Sequence, residues 1–242
     1  MAATALFAAI PAAVRLLAPG RRSFHAKVGA TACRAWGRTL CAILSIRRVV
    51  EGRLPSEGVF LVAANHLSYV DILVLGSLYP SVFLAKREIA SWPVFGWIAR
   101  GAGTLFVDRE QGKDVVRAAR EMSDRIALGV SLTIFPEGRS TRGTAILPFQ
   151  AALLEPAARA GIPCWSASIS YETPGSALAP SATVCWYDSQ NFPRHFVRLA
   201  GLPRVVARVR FAGDPVVSQD RKTLARELWA QTTATFIPVR QT

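Results

Sequence analysis

The stretch VFLVAANHLSYVDILVLGSLY, residues 59–79, predicts a strand, a polar loop and a helix in immediate succession. Its first part, VFLVAA, is short, apolar and rich in β-branched and aromatic side chains, as buried strands are. Its last part, YVDILVLGSLY, is apolar all round and indicates a buried helix. Between them, the pattern Ser68-Tyr69-Val70-Asp71 matches a capping box, so the helix is expected to start just after Ser68. His66 then lies in the loop that leaves the strand.

His66 and Asp71 are the first candidate catalytic residues. Five positions correspond to about 140° net around a helix, so the two would not share a helical face. A loop residue can fold back over the first turn, however, and the carboxylate would then fix the imidazole tautomer and leave the other nitrogen free as a base. The alternative is structural: Asp71 only caps the helix, and His66 is a loop histidine with satisfied hydrogen bonds. Its place after a strand favours a site.

Two further polar loops follow predicted strands. GTLFVDR, residues 103–109, ends a strand with Asp108 and Arg109, for which an exposed ion pair is the alternative to a binding role. SLTIF, residues 131–135, continues into FPEGRSTRG, residues 135–143, which holds one glutamate, two glycines and two arginines. Glycine allows a close backbone approach and arginine grips phosphate in pairs of hydrogen bonds. A solvated turn whose charges pair with each other remains the alternative here.

The rest of the pattern predicts an α/β fold with a mixed, largely parallel sheet flanked by helices. Further strands are expected at 82–85, 164–171, 182–187 and 204–211, and helices at 113–128 and after Asp220. Strands that alternate with helices are typical of parallel sheets, and the closely spaced later strands indicate a mixed one.

Composition points to anionic partners. The 242 residues include 29 Lys+Arg and 16 Asp+Glu, a net charge of +13, and 51% are hydrophobic. This combination favours a membrane surface over nucleic acid, for which no zinc-finger spacing or RNA-binding motif is present. Four cysteines without a C-x-x-C pair and three histidines make a structural zinc site improbable, so no metal is expected.

The first 48 residues are predicted to associate with a membrane, and residues 49–242 to form the α/β domain. ATALFAAIPAAVRLLA, residues 3–18, is apolar, but Pro11 and Arg15 leave it shorter than a spanning helix. A second segment, residues 28–46, has its apolar side chains on one helical face and Arg34 and Arg38 off that face. The face consists of Cys33, Trp36, Leu40, Cys41 and Leu44. An interfacial helical hairpin and a helix packed on the core both fit.

Three motifs in order resemble the glycerolipid acyltransferases of the PlsC type. They are NHLSYVD (65–71), GTLFVDR (103–109) and FPEGRST (135–141), and SWPVFGWIARGAGTLFVDR (91–109) resembles the whole second block of that family. GIPCWSASISY (161–171) is similar to its fourth block, without the second proline that is usual there. The resemblance covers about residues 50–175.

The resemblance implies a role for each motif residue. His66 would be the general base and Asp71 its orienting partner, with Asn65 beside them in the substrate site. Glu137 and Gly138, in the block that Phe135 and Pro136 begin, would position the glycerol backbone or structure the site. The arginines expected to hold the substrate's phosphate are Arg109 and either Arg139 or Arg142. The family commonly has arginine three positions after the glutamate, where this chain has Ser140.

The implied reaction moves a fatty acyl group from acyl-CoA or acyl carrier protein to the free hydroxyl of a lysophospholipid. 1-Acylglycerol-3-phosphate is the first acceptor expected, and a lyso-ornithine lipid or water, as in a thioesterase, are the alternatives. Backbone N–H groups near Ser68 are expected to stabilise the oxyanion. Trp92, Phe95 and Trp97 would line an acyl channel or simply pack. No cofactor is expected, and the enzyme is placed on the cytoplasmic face of the inner membrane.

Overall fold

The computed structural model describes residues 13–14, 20–91, 96, 99–100, 103–108, 111–188 and 190–241. Several predictions fall on other residues. The apolar segment at 3–18, apart from residues 13 and 14, lies outside the described residues, as do Arg109 and the aromatic residues Trp92, Phe95 and Trp97. The acyl channel and the hairpin therefore stay predictions.

A seven-stranded sheet forms the centre of the described fold. Its strands are β1 (Ile46–Glu51), β2 (Leu61–Ala64), β3 (Val82–Lys86), β4 (Leu105–Val107), β5 (Leu132–Ile134), β6 (Cys164–Glu172) and β7 (Val205–Phe211). The strand order is β1-β7-β6-β2-β5-β3-β4. Only the β6–β7 pair is antiparallel in this sheet, and every other neighbouring pair is parallel. The predicted mixed, largely parallel sheet is confirmed.

Helices cover both faces of the sheet. The described helices are α1 (Arg22–Ile43), α2 (Val70–Leu78), α3 (Gly112–Ala127), α4 (Glu155–Ala160), α5 (Pro180–Thr183), α6 (Phe192–Ala200) and α7 (Arg221–Thr235). Short 3-10 turns lie at Arg87–Ser91 and Ala151–Leu154. In β2, Val62 and Ala64 face one apolar cluster, while Leu61 and Ala63 face the other. This strand is therefore buried on both sides, which explains its continuous apolar sequence.

Helix α1 packs its predicted apolar face on the core. Cys33, Trp36 and Cys41 are buried there. At Gly37 the helix lies so close to α2 that an added Cβ would be 2.8 Å from the carbonyl oxygen of Leu73. This is the second of the two interpretations of the segment, and none of the described helices is both long and apolar enough to cross a bilayer. The division of the chain at residue 48 stays a prediction.

The strand predicted at 182–187 is wrong. Pro180 begins the short helix α5, and its carbonyl accepts the N–H groups of Val184 and Cys185 at 2.9 and 3.0 Å. The N–H of Trp186 then donates to Leu67 in the loop after β2. Because these three N–H groups are already bonded, they cannot donate to a neighbouring strand. Strand β1 and helix α6 were not predicted from the sequence.

Candidate active site

The two central polar loops lie side by side at one edge of the sheet. Strand β2 pairs with β5 in parallel, and the loop after each strand leaves at the carboxyl end. Polar residues at this edge of an open α/β sheet commonly form the ligand site. The N–H of Thr141 donates to the carbonyl of His66 at 2.9 Å, so the loop after β5 directly contacts the loop after β2.

His66 and Asp71 form the predicted pair. The Nδ1–H group of His66 donates to Oδ2 of Asp71 at 2.8 Å, and Asp71 is fully buried while the His66 side chain is 21% exposed. Within the described part of the chain, Nε2 of His66 has no hydrogen-bond partner. The carboxylate therefore selects the tautomer whose Nε2 lone pair is available as a base.

The same carboxylate also caps helix α2. Its Oδ2 accepts the N–H groups of Leu67 and Ser68 at 2.7 and 2.9 Å, and Oγ of Ser68 accepts the N–H of Val70 at 3.3 Å. Capping and orienting, considered as alternatives from the sequence, are thus performed by one group. The helix itself begins at Val70, one position later than the capping box suggested.

These bonds occupy four of the N–H groups near Ser68 that were predicted to stabilise the oxyanion. The N–H groups of Leu67 and Ser68 are used by Asp71, that of Val70 by Ser68, and that of Asp71 by the carbonyl of Ser68 at 3.1 Å. They are not available to a developing oxyanion, so the prediction is wrong for these groups.

Tyr171 completes the support of Asp71. Its hydroxyl donates to Oδ1 at 2.6 Å, and its side chain is buried. Burial, and then the charge of Asp71, raise the pKa of Tyr171 well above its usual value, so the phenol stays a donor. Sequence analysis did not identify this role, because nothing near Tyr171 marks a partner 100 positions away.

Phe135 and Glu137 hold His66 from the other side. The ring of Phe135 stacks on the imidazole with centroids 4.1 Å apart. Oε1 of Glu137 accepts the N–H of His66 at 2.6 Å, and Oε2 accepts the N–H of Leu147 at 2.8 Å. Burial raises the pKa of Glu137 to about 7, and the two N–H groups oppose that shift. Both oxygens of Glu137 are thus used to structure the site.

Asn65 and the turn after Phe135 are structural in this geometry. Asn65 donates to the carbonyl of Ile169 at 3.1 Å and accepts its N–H at 2.7 Å, which joins the loop to β6. Pro136 lies in a turn closed by the N–H of Gly138 donating to Phe135, and Gly138 has a φ of +84°, which favours glycine. Substrate contacts of these residues stay predictions.

Arg139 and Arg142 are exposed at the same loop. Neither forms a salt bridge in the part of the chain that the structure describes, and the guanidinium of Arg142 lies 5.3 Å from the ring centroid of Tyr187. Since Glu137 is held by backbone N–H groups, the alternative of a turn with mutually paired charges does not hold. Both guanidiniums are therefore available to bind an anion.

The C-terminal segment, residues 236–241, lies against the arginine loop. The N–H of Val239 donates to the carbonyl of Gly143 at 2.8 Å, and its buried side chain contacts Gly143 so closely that an added Cβ would be 2.7 Å from Cγ2. Nε2 of Gln241 donates to the carbonyl of Arg142 at 3.2 Å. This support was also not predicted.

The end of β4 is fixed by a charged cluster. Asp114 accepts the N–H of Asp108 at 2.6 Å and is paired with Arg117 at 2.9 Å and with Arg87 at 3.4 Å. The bond from Arg117 lowers the pKa of Asp114 to about 2. The carboxylate of Asp108 accepts the side chain of Gln111 at 2.6 Å. The backbone that leads to Arg109 is therefore anchored on α3.

A cavity of about 420 Å³ adjoins this edge of the sheet. It is lined by residues 170–176 after the middle of β6, by Pro180, and by Ile237, Pro238 and Arg240 of the C-terminal segment. Its size is within the range of small-molecule sites. No cluster of His, Cys, Asp and Glu side chains among the described residues is arranged to hold a metal ion.

Known proteins share this sequence and fold. Residues 47–170 match the acyltransferase family model. A 1-acyl-sn-glycerol-3-phosphate acyltransferase of Neisseria meningitidis serogroup B is 36% identical over 78% of this chain and 74% of its own. A lyso-ornithine lipid O-acyltransferase of Pseudomonas aeruginosa is 35% identical over 80% of this chain and 74% of its own.

The crystal structure of the 1-acyl-sn-glycerophosphate acyltransferase PlsC from Thermotoga maritima has a similar fold. It is 21% identical and superimposes with a TM-score of 0.61 over 94% of this chain and 92% of its own. This likeness shows the shared architecture. The family model and the two relatives lead to one conclusion: this chain belongs to the acyltransferase family.

Proposed function

We propose that this protein transfers a fatty acyl group from an acyl thioester to the free hydroxyl of a lysophospholipid. The donor is the acyl thioester of CoA or of acyl carrier protein, and 1-acylglycerol-3-phosphate is the acceptor that we expect first. The observation that carries the proposal is the imidazole of His66, held at Nδ1 by a buried carboxylate and open at Nε2. A neutral imidazole held in this way can act as a general base, and the hydroxyl group of the acceptor lipid supplies the proton that it removes.

The proposed step uses only groups in the loops at the carboxyl ends of the strands. Nε2 of His66 takes the proton as the acceptor oxygen attacks the thioester carbonyl. A C–O bond forms, the C–S bond breaks, and the thiolate that leaves takes the proton from the imidazolium. Asp71 stabilises that imidazolium through the 2.8 Å hydrogen bond to Nδ1. General-base assistance of this kind contributes typically about 10²–10⁴-fold.

Two exposed arginines support the proposal that the acceptor is an anionic lipid. Arg139 and Arg142 are exposed, without a salt bridge among the described residues, beside the loop that holds His66. Guanidinium groups bind phosphate through paired hydrogen bonds, so one or both would hold the phosphate of the acceptor. Arg109, by its family motif, would contribute from the end of β4.

A lyso-ornithine lipid is the second candidate acceptor. The relative of that name from Pseudomonas aeruginosa is 35% identical to this chain, against 36% for the 1-acyl-sn-glycerol-3-phosphate acyltransferase of Neisseria meningitidis, so these two relatives favour neither acceptor. An ornithine headgroup carries a carboxylate that arginine also binds well. The chemistry at His66 would be the same for both acceptors.

The proposed location is a membrane surface, on the cytoplasmic face of the inner membrane. The substrates are amphipathic, and the net charge of +13 favours a leaflet of anionic lipids. The relatives that match are named as enzymes acting on lipids.

The test is an acceptor panel with the purified full chain. Labelled acyl-CoA and acyl carrier protein are offered with lysophosphatidate, lyso-ornithine lipid or no acceptor, and the products are identified by mass spectrometry. We expect acylated lysophosphatidate. If only the lyso-ornithine lipid is acylated, it is the acceptor instead of lysophosphatidate. Release of free fatty acid at the same rate without any acceptor would contradict acyl transfer.

A further inference from the structure

Helix α6, Phe192–Ala200, has two apolar faces. The inner face packs on the domain, with His195 and Leu199 buried. The outer face holds Pro193, Phe196, Val197 and Ala200, all exposed, at the i, i+3, i+4, i+7 spacing of a continuous helical stripe. Single exposed apolar side chains are ordinary in soluble proteins, but the packing of this domain does not require a second stripe.

Basic residues flank the outer stripe. Arg194 and Arg198 are exposed, and the helix sequence FPRHFVRLA has no acidic residue. Helices that lie in a bilayer interface combine an apolar stripe with arginine or lysine beside it in this manner. Charge complementarity therefore identifies the occupant as the surface of an anionic bilayer.

Helix α3 shows the contrast. Its Val116 is 70% exposed, nearly the same as the 71% of Val197 in α6. The positions i+3, i+4 and i+7 from Val116 hold the half-buried Ala119 and the exposed polar residues Arg120 and Ser123, so no apolar stripe continues from it. Exposure of a valine is thus common to both helices, whereas the continuous exposed apolar stripe is present in α6 and absent from α3.

The inner face of α6 is joined to the segment that holds the catalytic pair. Tyr69, between Ser68 and Val70, packs its ring edge-on against Phe192 and His195, with centroids 5.1 and 5.5 Å away. The Nε2–H group of His195 donates to the carbonyl of Cys185 at 3.1 Å, so its Nδ1 accepts the hydroxyl of Tyr69 at 3.0 Å. A surface bound to the outer face would therefore be held beside the helix start at Asp71.

We propose that α6 is a membrane-docking helix that binds anionic bilayers through Phe196 and Val197, with Arg194 on the headgroups, while Arg198 donates to the carbonyl of Ala182 at 2.9 Å. The proposal adds a contact surface to the acyl transfer proposed above and is separate from the chemistry at His66. Membrane binding and turnover are consequently measured independently.

The test is sedimentation of the full chain with vesicles of phosphatidylglycerol and phosphatidylcholine. Val197→Glu is expected to weaken binding about tenfold, because it removes apolar contact and adds a negative charge to the face. Val116→Glu is the matched control, at equal exposure on α3, and is expected to bind as the wild type does. Circular dichroism and thermal unfolding verify that both variants are folded.

A second pair of variants tests the charge. Arg194→Glu is expected to weaken binding to these vesicles roughly tenfold, and much less to vesicles of phosphatidylcholine alone, because each basic group acts on the anionic surface. Arg120→Glu on α3 is the matched control. Equal losses for each α6 variant and its α3 control, or no loss for either α6 variant, would overturn the proposal. The readout does not depend on acyl transfer, so a failed acceptor panel leaves it intact.

Discussion

Four hydrogen bonds converge on the carboxylate of Asp71 at the residue scale. Three end on Oδ2, from His66 and the N–H groups of Leu67 and Ser68, and the fourth is from Tyr171 to Oδ1. A fully buried carboxylate is tolerated only when it is satisfied in this way. The network explains why this position is an aspartate. The four donors need two oxygen atoms that accept hydrogen bonds, and the imidazole needs a negative charge beside it.

The substitution Asp71→Asn removes the negative charge of this side chain but keeps its size and shape. The amide oxygen can replace Oδ2, and the amide NH₂ can donate to Tyr171, whose hydroxyl can accept. We expect a folded protein whose kcat is lower by roughly 10²–10⁴-fold, because the imidazolium loses its counter-charge. Thermal unfolding and steady-state acylation measure the two properties. A folded variant with wild-type turnover would restrict Asp71 to capping.

Glu137 predicts a pH dependence of stability. Burial raises its pKa from 4.5 to about 7. Between pH 4.5 and pH 7, the carboxyl group is therefore protonated in a larger fraction of folded molecules than of unfolded ones. The stability that this group contributes is complete below about pH 4.5 and is lost as the pH rises through 7. The free-energy advantage of the wild type over Glu137→Gln should therefore shrink, by about 3 kcal/mol at most, from pH 5 to pH 8.

Urea unfolding of both proteins at about pH 5 and pH 8 measures this difference. Glutamine cannot titrate, so it supplies the reference slope for all other groups. An advantage of the wild type that is constant or grows toward pH 8 would show that the carboxyl is ionised throughout, which its two backbone N–H donors would then explain.

At the scale of elements, the C-terminal segment supports the arginine loop. Val239 is buried and contacts Gly143, which also lies against Leu67, so Val239 packs where the loops after β5 and β2 meet. We expect Val239→Ala to destabilise the fold by about 2 kcal/mol through the cavity it leaves. We also expect a higher KM for the phosphorylated acceptor, because the loop that carries Arg139 and Arg142 is less well held.

Val217→Ala is the control for that prediction. Val217 is the same type of residue but is 58% exposed and does not line the cavity, so the substitution changes little packing and leaves the site as it is. Urea unfolding and acceptor titrations compare the two variants. If Val239→Ala changes stability without changing KM relative to the control, the segment supports the fold but not the site.

Elements with a strong local pattern could be predicted from the sequence. The strand, loop and helix around His66 and Asp71 lie where their patterns indicated, because a buried strand and a capped helix each have a local sequence signature. Residues 182–187 have a strand-like composition, yet Pro180 uses their backbone groups in a helical turn. Strand β1, with its charged sequence IRRVVE, lies at the sheet edge and carries no such pattern.

At the scale of the whole molecule, the order of the strands decides the site. Parallel pairing of β2 with β5 on one side and β6 on the other brings residues 65–71, 135–141 and 169–171 together. The sequence predicts a parallel sheet and polar loops at its carboxyl edge, but not which strands are neighbours. Contacts such as Tyr171 with Asp71 or Val239 with Gly143 depend on that order, so local pattern could not predict them.

The central claim is that His66 is the base for acyl transfer. The most direct measurement is the rate at which labelled acyl groups move from acyl-CoA to lysophosphatidate, for the wild type and for His66→Gln. The glutamine variant should be folded and slower by roughly 10²–10⁴-fold, with lysophosphatidate still bound, because only the base is lost. Wild-type transfer by a folded His66→Gln protein would contradict the account.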